Sequence, residues 1–281
     1  MRNRKRTGWR RYVNGLSIAT LVTVVFIVVP LYWLVATSFK DPNAIGTSPP
    51  SLGPTPFVGR NYHDAFVNYD FGIYFRNSLI VTIAATALVL ALGTLAGYAL
   101  GRLPMRGKFT TLVILLMISV FPAVAVLAPL YLLMRNLGWL NSYQGLVLAY
   151  TALMLPFAIW ILRNFFLGIP KAMEESARVD GAGPIRTVIQ VILPQALPGV
   201  FTAGVFTFVA AWTEFIIALT LNNSDHYRTI AVGIALFGGQ YTTPYGTIFA
   251  ASAVAMLPIA ILVLVFRRAV VSGLTAGAVK G

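Results

Sequence analysis

Glu174, Glu175, Arg178 and Asp180 crowd into one short polar stretch between two long apolar segments. They include three of the eight acidic residues in a chain that is only 10% charged. Glu174 and Arg178 are four residues apart, a spacing at which opposite charges meet on a helix. No nucleophile–base pair stands beside them, so the group offers recognition rather than catalysis. A second carboxylate, Glu214, sits inside an apolar segment with Thr207, Thr213 and Asn222 nearby. An ionised carboxylate in lipid is expensive, so it must face the bundle interior, a partner or water. Two readings stand side by side: a hydrophilic translocation path touched by Glu214, Thr207, Thr213 and Asn222, or a hydrogen-bond anchor holding its span against neighbours. A proton relay is the weakest reading, because no intramembrane His, Lys or Arg accompanies Glu214.

The rest of the chain must position these groups within a membrane. It is 58% hydrophobic, with a mean hydropathy of +0.78, against roughly 45–50% apolar for soluble domains. Several apolar runs exceed the length of about 18 residues that spans a bilayer as a helix, and none alternates as a barrel strand would. An all-α polytopic membrane protein follows, with no room for a large extramembrane domain. The absence of cysteine excludes disulfides, thiolate metal sites and cysteine nucleophiles. His63 and His226 lie in separate loops, which argues against a zinc site. The sequence Gly107-Lys108-Phe109-Thr110 lacks the spacing of a phosphate-binding loop. The chain is therefore expected to bind no metal or cofactor and to hydrolyse no ATP itself.

Six spans are predicted, near residues 15–37, 77–100, 109–134, 143–166, 198–221 and 245–266. The first follows a basic arm, residues 1–14. It is long for a signal sequence and lacks a small-x-small cleavage site, so it is read as retained. Residues 41–74 read as a loop rich in Pro, Gly, Ser and aromatics. Gly93, Gly97 and Gly101 lie on one helical face and predict close helix packing. Pro122, Pro129, Pro156 and Pro258 predict bends. The stretch 229–237 is apolar but too brief to span. Even span parity puts both termini on one side. Of the 21 Lys and Arg residues, 16 fall on that side, leaving Lys40, Arg60, Arg76, Arg135 and Arg228 opposite. Basic residues accumulate on the cytoplasmic face, which places both termini and the 168–197 loop in the cytoplasm. This explains the net charge of +13 without nucleic acid.

Within that loop, Pro170 suits a first helical turn and Gly181 suits a left-handed stop. A cytoplasmic helix of about three turns is predicted, with Met173 and Ala177 as a shallow apolar knob. It could be a surface connector or a docking element. The pattern Glu-Ala-Ala, three residues, Gly, and a later Ile, Leu and Pro is matched by Glu175, Ala177, Gly181, Ile192, Leu193 and Pro194, with Ser176 replacing the central Ala. These residues resemble the signature loop of permease subunits of binding-protein-dependent ABC importers. Asp180-Gly181-Ala182, Trp212-Thr213-Glu214-Phe215 and the terminus 273–281 resemble the carbohydrate type, and in particular its shorter, maltose-type subunits.

The resemblance implies a type I ABC importer permease fold: a transmembrane domain over 15–266, a cytoplasmic coupling helix and a cytoplasmic tail over 267–281. It implies ATPase docking at Glu174, Glu175, Ala177, Arg178, Asp180, Gly181 and Ala182, and ATPase contact by Gly277, Ala278, Val279 and Lys280. The implied partners are a second homologous permease, two ATPase subunits that use the ATP, and a soluble or lipid-anchored solute-binding protein. The implied setting is a bacterial or archaeal cytoplasmic membrane, and the implied solute is a sugar or oligosaccharide. Importers of glycerol-3-phosphate or related phosphodiesters share the pattern and stand as the alternative. A self-sufficient secondary transporter would need ion ligands or repeat symmetry, and an intramembrane enzyme would need catalytic groups. Neither set is evident.

Overall fold

The computed structural model describes residues 15–54, 56–238 and 243–276, and the described residues are helical with no strand. They fall into two compact units. One comprises the residues up to Tyr69 together with Phe237–Val254, and the other comprises Asp70–Leu236 together with the residues from Ala255 onward.

The first unit is built on α1 (Gly15–Ser38), whose apolar length is largely exposed, with Ala36, Thr37 and Ser38 buried at its C-terminal end. Its C-terminal end is closed by side chains. Asn61, on α2 (Arg60–Val67), donates to the Ser38 and Lys40 carbonyls at 2.9 and 2.8 Å. The Ser38 hydroxyl shares a hydrogen bond with the Tyr62 hydroxyl at 2.8 Å. Phe39 stacks on Phe57 with ring centroids 4.4 Å apart. The predicted loop 41–74 therefore contains a helix, fixed by its polar ties rather than by apolar periodicity. Burying Asn61 satisfies carbonyls that the end of α1 would otherwise leave unpaired.

The second unit carries the remaining helices. They are α3 (Phe71–Arg102), α4 (Lys108–Val120), α5 (Ala123–Asn136), α6 (Tyr143–Gly168), α7 (Lys171–Val179), α8 (Pro184–Thr187), α9 (Leu193–Thr213), α10 (Ile216–Leu221) and α11 (Ile230–Ala235). The last helix, α12 (Tyr245–Ala276), contributes residues to both units. Here α3 packs on α6 along the predicted glycine face. A β-carbon on Gly97 would stand 3.0 Å from Leu162 Cβ and 3.1 Å from the Arg163 nitrogen, and one on Gly101 would stand 3.3 Å from Phe166 Cβ. Bare backbone is what lets these helices meet. Their shared core includes Val81, Val89, Leu146, Tyr150 and Leu162.

Among the described residues, five helices are long and apolar enough to cross a membrane, or six if one bent pair forms a single span. That pair is α4 and α5, bent by 92° where an unbroken third span is predicted. Pro122 disfavours helical geometry in the residue before it, and Phe121 is extended, with φ −65° and ψ 133°. The fifth span also differs from expectation. A helix runs over Pro184–Thr213, with α8 joined to α9 by a π-helical turn, Val188–Ile192. Pro184 starts this helix at a position where its missing N–H is harmless. The span thus begins inside the predicted loop and stops before Glu214, whereas residues 198–221 are predicted as one span. Pro258 lies within α12, whose departure from helical geometry is at Phe266.

Candidate functional site: the α7 bracket and the break at Glu214

The bracket between α6 and α9 is built by backbone geometry first. Extended Ile169 ends α6, and Pro170 precedes the first turn of α7. At the other end Gly181 adopts φ +81°. The Ala182 nitrogen donates to the Ala177 carbonyl at 2.9 Å and the Gly181 nitrogen to that of Arg178 at 3.0 Å. This paired closure is the glycine-terminated Schellman ending, so Gly181 does what its position in the sequence predicts.

One face of α7 is turned into its own bundle. Glu174 is 8% exposed, and Ala177 is buried. Met173 packs on the core cluster that includes Phe166, Ile169 and Ile192. Glu174 Oε1 lies 3.2 Å from Arg102 Nε, at the end of α3, without the alignment of a hydrogen bond. The same guanidinium donates to the Ile169 carbonyl. Arg102 therefore ties the end of α3 to the exit of α6 and the first turn of α7. These contacts correct two expectations. Glu174 pairs with Arg102 rather than Arg178, and Met173 and Ala177 do not form an outward knob. The physical reason is shared: α7 buries its apolar stripe on the bundle, and Arg102 compensates the carboxylate in that stripe.

The opposite face carries what remains. Glu175, Arg178, Asp180 and Gly181 are exposed, and Ala182 is half-buried. Glu175, Arg178 and Asp180 form no ion pair among the described residues. Beyond the turn, Val179 and Ile185 are 88% and 76% exposed. Gly183, Pro184, Ile185, Arg186, Ile189 and Gln190 line a shallow hollow of about 470 Å³. The outward surface therefore mixes charge with exposed apolar side chains.

Glu214 lies in the break between α9 and α10, extended at φ −65° and ψ 131°. Its Oε1 accepts from the Ile217 nitrogen at 2.8 Å, and its Oε2 accepts from the Ala218 nitrogen at 3.0 Å and the Tyr150 hydroxyl at 2.9 Å. The carboxylate thus satisfies donors that the start of α10 leaves open and fastens the break to α6. Trp212 donates to the Ala255 carbonyl at 3.0 Å. Thr213 is exposed, with its hydroxyl turned back to the Val209 carbonyl, and Thr207 is buried.

Asn222 is fully buried. Its amide donates to the carbonyls of Ser142 and Tyr227 at 3.3 and 3.1 Å, and its oxygen accepts from the Ser142 nitrogen at 3.3 Å. Of the two readings of Asn222, path residue or anchor, this geometry favours the anchor: its polar atoms are used up in closing two loops. Asn77 plays a parallel part, donating to the His226 and Arg228 carbonyls and accepting from the Tyr143 hydroxyl.

Sequence reading missed Arg102, Tyr150 and Asn77. Arg102 stood out only as one more orientation-setting charge. Tyr150 carried a usable signal, since a tyrosine inside an apolar span needs a partner for its hydroxyl. Gly277, Ala278, Val279 and Lys280 lie outside the described residues.

Long apolar helices, one of them sharply broken, and a polar bracket inserted between two spans define a polytopic helical membrane protein with a structured loop. Its sequence specifies the class further: residues 90–275 match the binding-protein-dependent transport system inner membrane components. The chain belongs to that family. It is 39% identical to the sulfoquinovosyl glycerol transport system permease protein of Agrobacterium fabrum, over 94% of this chain and 93% of that one. It is 34% identical to the trehalose/maltose transport system permease protein of Thermococcus litoralis, over 95% and 96% of the two chains. The fold resembles a chain of a bacterial ABC transporter involved in the import of the acidic polysaccharide alginate. That match has a TM-score of 0.78 at 20% identity and covers 94% of this chain and 98% of the other. The chain is thus a membrane-spanning ABC importer permease of type I fold.

Proposed function

We propose that this permease forms half of the translocation path of an ATP-driven importer for sugars or oligosaccharides and takes its power stroke from a separate ATPase through residues 174–184. A second, homologous permease completes the path, two ATPase subunits dock on the paired loops, and a binding protein delivers solute to the opposite face. Both termini and the α7 bracket lie in the cytoplasm of a bacterial or archaeal cell, as the distribution of basic residues favours. The ATP is consumed by the partner, and this chain holds no cofactor of its own.

The observation that carries the reading is the two-faced build of α7. Its inner face is tied to α3 by Glu174 and Arg102 and packed on the core, while Glu175, Arg178 and Asp180 stand outward and form no ion pair among the described residues. A helix gripped by a soluble subunit on its outer face moves the spans attached to its inner face. Alternating access then follows from the different affinities of the partners for the two states. The carbohydrate class rests on the relatives, whose names include trehalose, maltose and sulfoquinovosyl glycerol. Glycerol-3-phosphate and related phosphodiesters remain the alternative solutes.

The test is co-purification of the tagged chain from its native membrane, with ATPase activity assayed on the eluate. A second permease and an ATPase are expected to elute with it, and Gly181→Asp is expected to lose ATP-coupled uptake because the altered turn seats badly. Normal coupled uptake by Gly181→Asp would sink the docking role. Transport in liposomes by the chain alone, without ATP, would revive a secondary transporter.

A further inference from the structure

The first unit contains a mostly apolar cavity with a buried cation in its wall, which the transport reading does not use. It has a volume of about 460 Å³, and its lining includes Trp33, Thr37, Lys40, Thr243, Tyr245 and Phe249. This lies within the range of roughly 300–1,000 Å³ typical of small-molecule sites. Lys40 is 3% exposed. Its ammonium donates to the Ser51 carbonyl at 2.7 Å and lies 3.9 Å from the centroid of the Trp33 ring. An ammonium has three donors, and the described residues supply one acceptor. All eight acidic residues of the chain lie among the described residues, and none pairs with Lys40. Thr37 lines the same cavity, and its buried hydroxyl has no hydrogen-bond partner among the described residues.

A buried cation without a counter-charge is unfavourable unless an anion joins it. The orphan hydroxyl of Thr37, in the wall of the same cavity, is a neutral donor suited to the same anion. The surroundings identify the carrier of the charge. The cavity sits at the C-terminal end of the apolar α1, and Trp33 and Tyr245 are residues of the kind that gather at the membrane–water interface. Leu31 and Val35, on the last turns of α1, are exposed, so apolar surface continues from the same helix end. A soluble sugar would meet the aromatic walls but would leave the ammonium without a counter-charge.

We propose that this cavity is a binding site for the phosphate group of a membrane phospholipid, held by Lys40 and Thr37, with the acyl chains lying along α1. The site holds whichever side of the membrane that end of α1 occupies, and its failure would leave the coupling role of α7 untouched.

The test uses the full chain, purified with whatever subunits accompany it, stripped of lipid and titrated with phosphatidylglycerol and separately with inorganic phosphate. Bound lipid is counted by native mass spectrometry. One phosphatidylglycerol per chain is expected to survive mild activation. Lys40→Met should weaken retention by about tenfold or more, the scale of a charge-assisted hydrogen bond, and Lys40→Arg should keep most of it. Thr37→Val leaves the Lys40–Ser51 tie intact and should weaken retention by about threefold, as expected for one neutral hydrogen bond. That variant keeps the test meaningful even if Lys40→Met folds poorly. Equal retention by wild type and Thr37→Val, inorganic phosphate bound with no lipid retained, or an ion pair between Lys40 and an accompanying subunit would each overturn the assignment.

Discussion

Glu174 and Glu214 are both carboxylates that the fold draws out of water, and it compensates them in opposite ways. Glu174 meets the guanidinium of Arg102 at 3.2 Å. Glu214 meets two backbone N–H groups and the Tyr150 hydroxyl, with no ion pair among the described residues. A charge balanced by an opposite charge on another helix joins two elements that can move together. A charge balanced by the N–H groups of its own chain fixes local backbone, here a helix restarting after a break. The first arrangement suits the transmission of force, and the second suits a shaped, stationary bend.

The largest effect should come from separating the charges at the bracket. Arg102→Met leaves Glu174 buried beside an apolar side chain and also removes the donor to the Ile169 carbonyl. Breaking a buried pair from one side costs about 3–5 kcal/mol, whereas replacing both partners by well-packed apolar residues is often neutral. Arg102→Met is therefore expected to lower the thermal unfolding midpoint sharply in detergent, and Arg102→Met with Glu174→Met should recover most of the loss. If the pair is only structural, the stable double variant will transport normally. If it carries motion from α7 to α3, the double variant will hydrolyse ATP with fewer solutes moved per ATP. Recovery of both stability and coupling would remove the pair from the transmission route.

A smaller effect is expected at the other carboxylate. Glu214→Gln keeps the shape but gives up one acceptor oxygen, so a backbone donor such as the Ile217 N–H faces an amide hydrogen. Leaving one such group unsatisfied costs about 1–3 kcal/mol. Reduced but measurable uptake by an assembled importer is the outcome expected of an anchor. Complete loss of uptake with full assembly would mean that the charge itself acts in the path.

The two carboxylates were not equally legible in the sequence. Glu214 drew attention because an acid inside an apolar run is costly, but its partners were out of reach: Tyr150 lies on another helix, and the break beside it carries neither Pro nor Gly. Glu174 was seen, but its pairing with Arg178 followed a local spacing rule that tertiary packing overrides, since Arg102 reaches it from the end of α3. Features set by backbone chemistry were more readable. The glycine face on α3 predicts its close approach, and Gly181 predicts its own left-handed turn. Pro122 predicts a bend, but not one as large as 92°, because the angle depends on what each half packs against. Asn222 shows the opposite limit, since an asparagine near a span end reads equally as a path residue or a loop tie until its three partners are known.

The smallest effect separates the anchor into its parts. Tyr150→Phe removes one hydroxyl from a fully buried ring and leaves the hydrocarbon packing in place. Oε2 of Glu214 keeps its bond from Ala218, so no acceptor is stranded and the loss should be about 1 kcal/mol. The informative quantity is the coupling between Tyr150→Phe and Glu214→Gln in a double-mutant cycle. If the carboxylate holds α10 to α6 as one network, the two losses should be markedly less than additive, because either substitution already loosens the same contact. Additive losses would show that Glu214 caps α10 independently of Tyr150. The break would then be a property of α9 and α10 alone, and its fastening to α6 would be incidental to the bend.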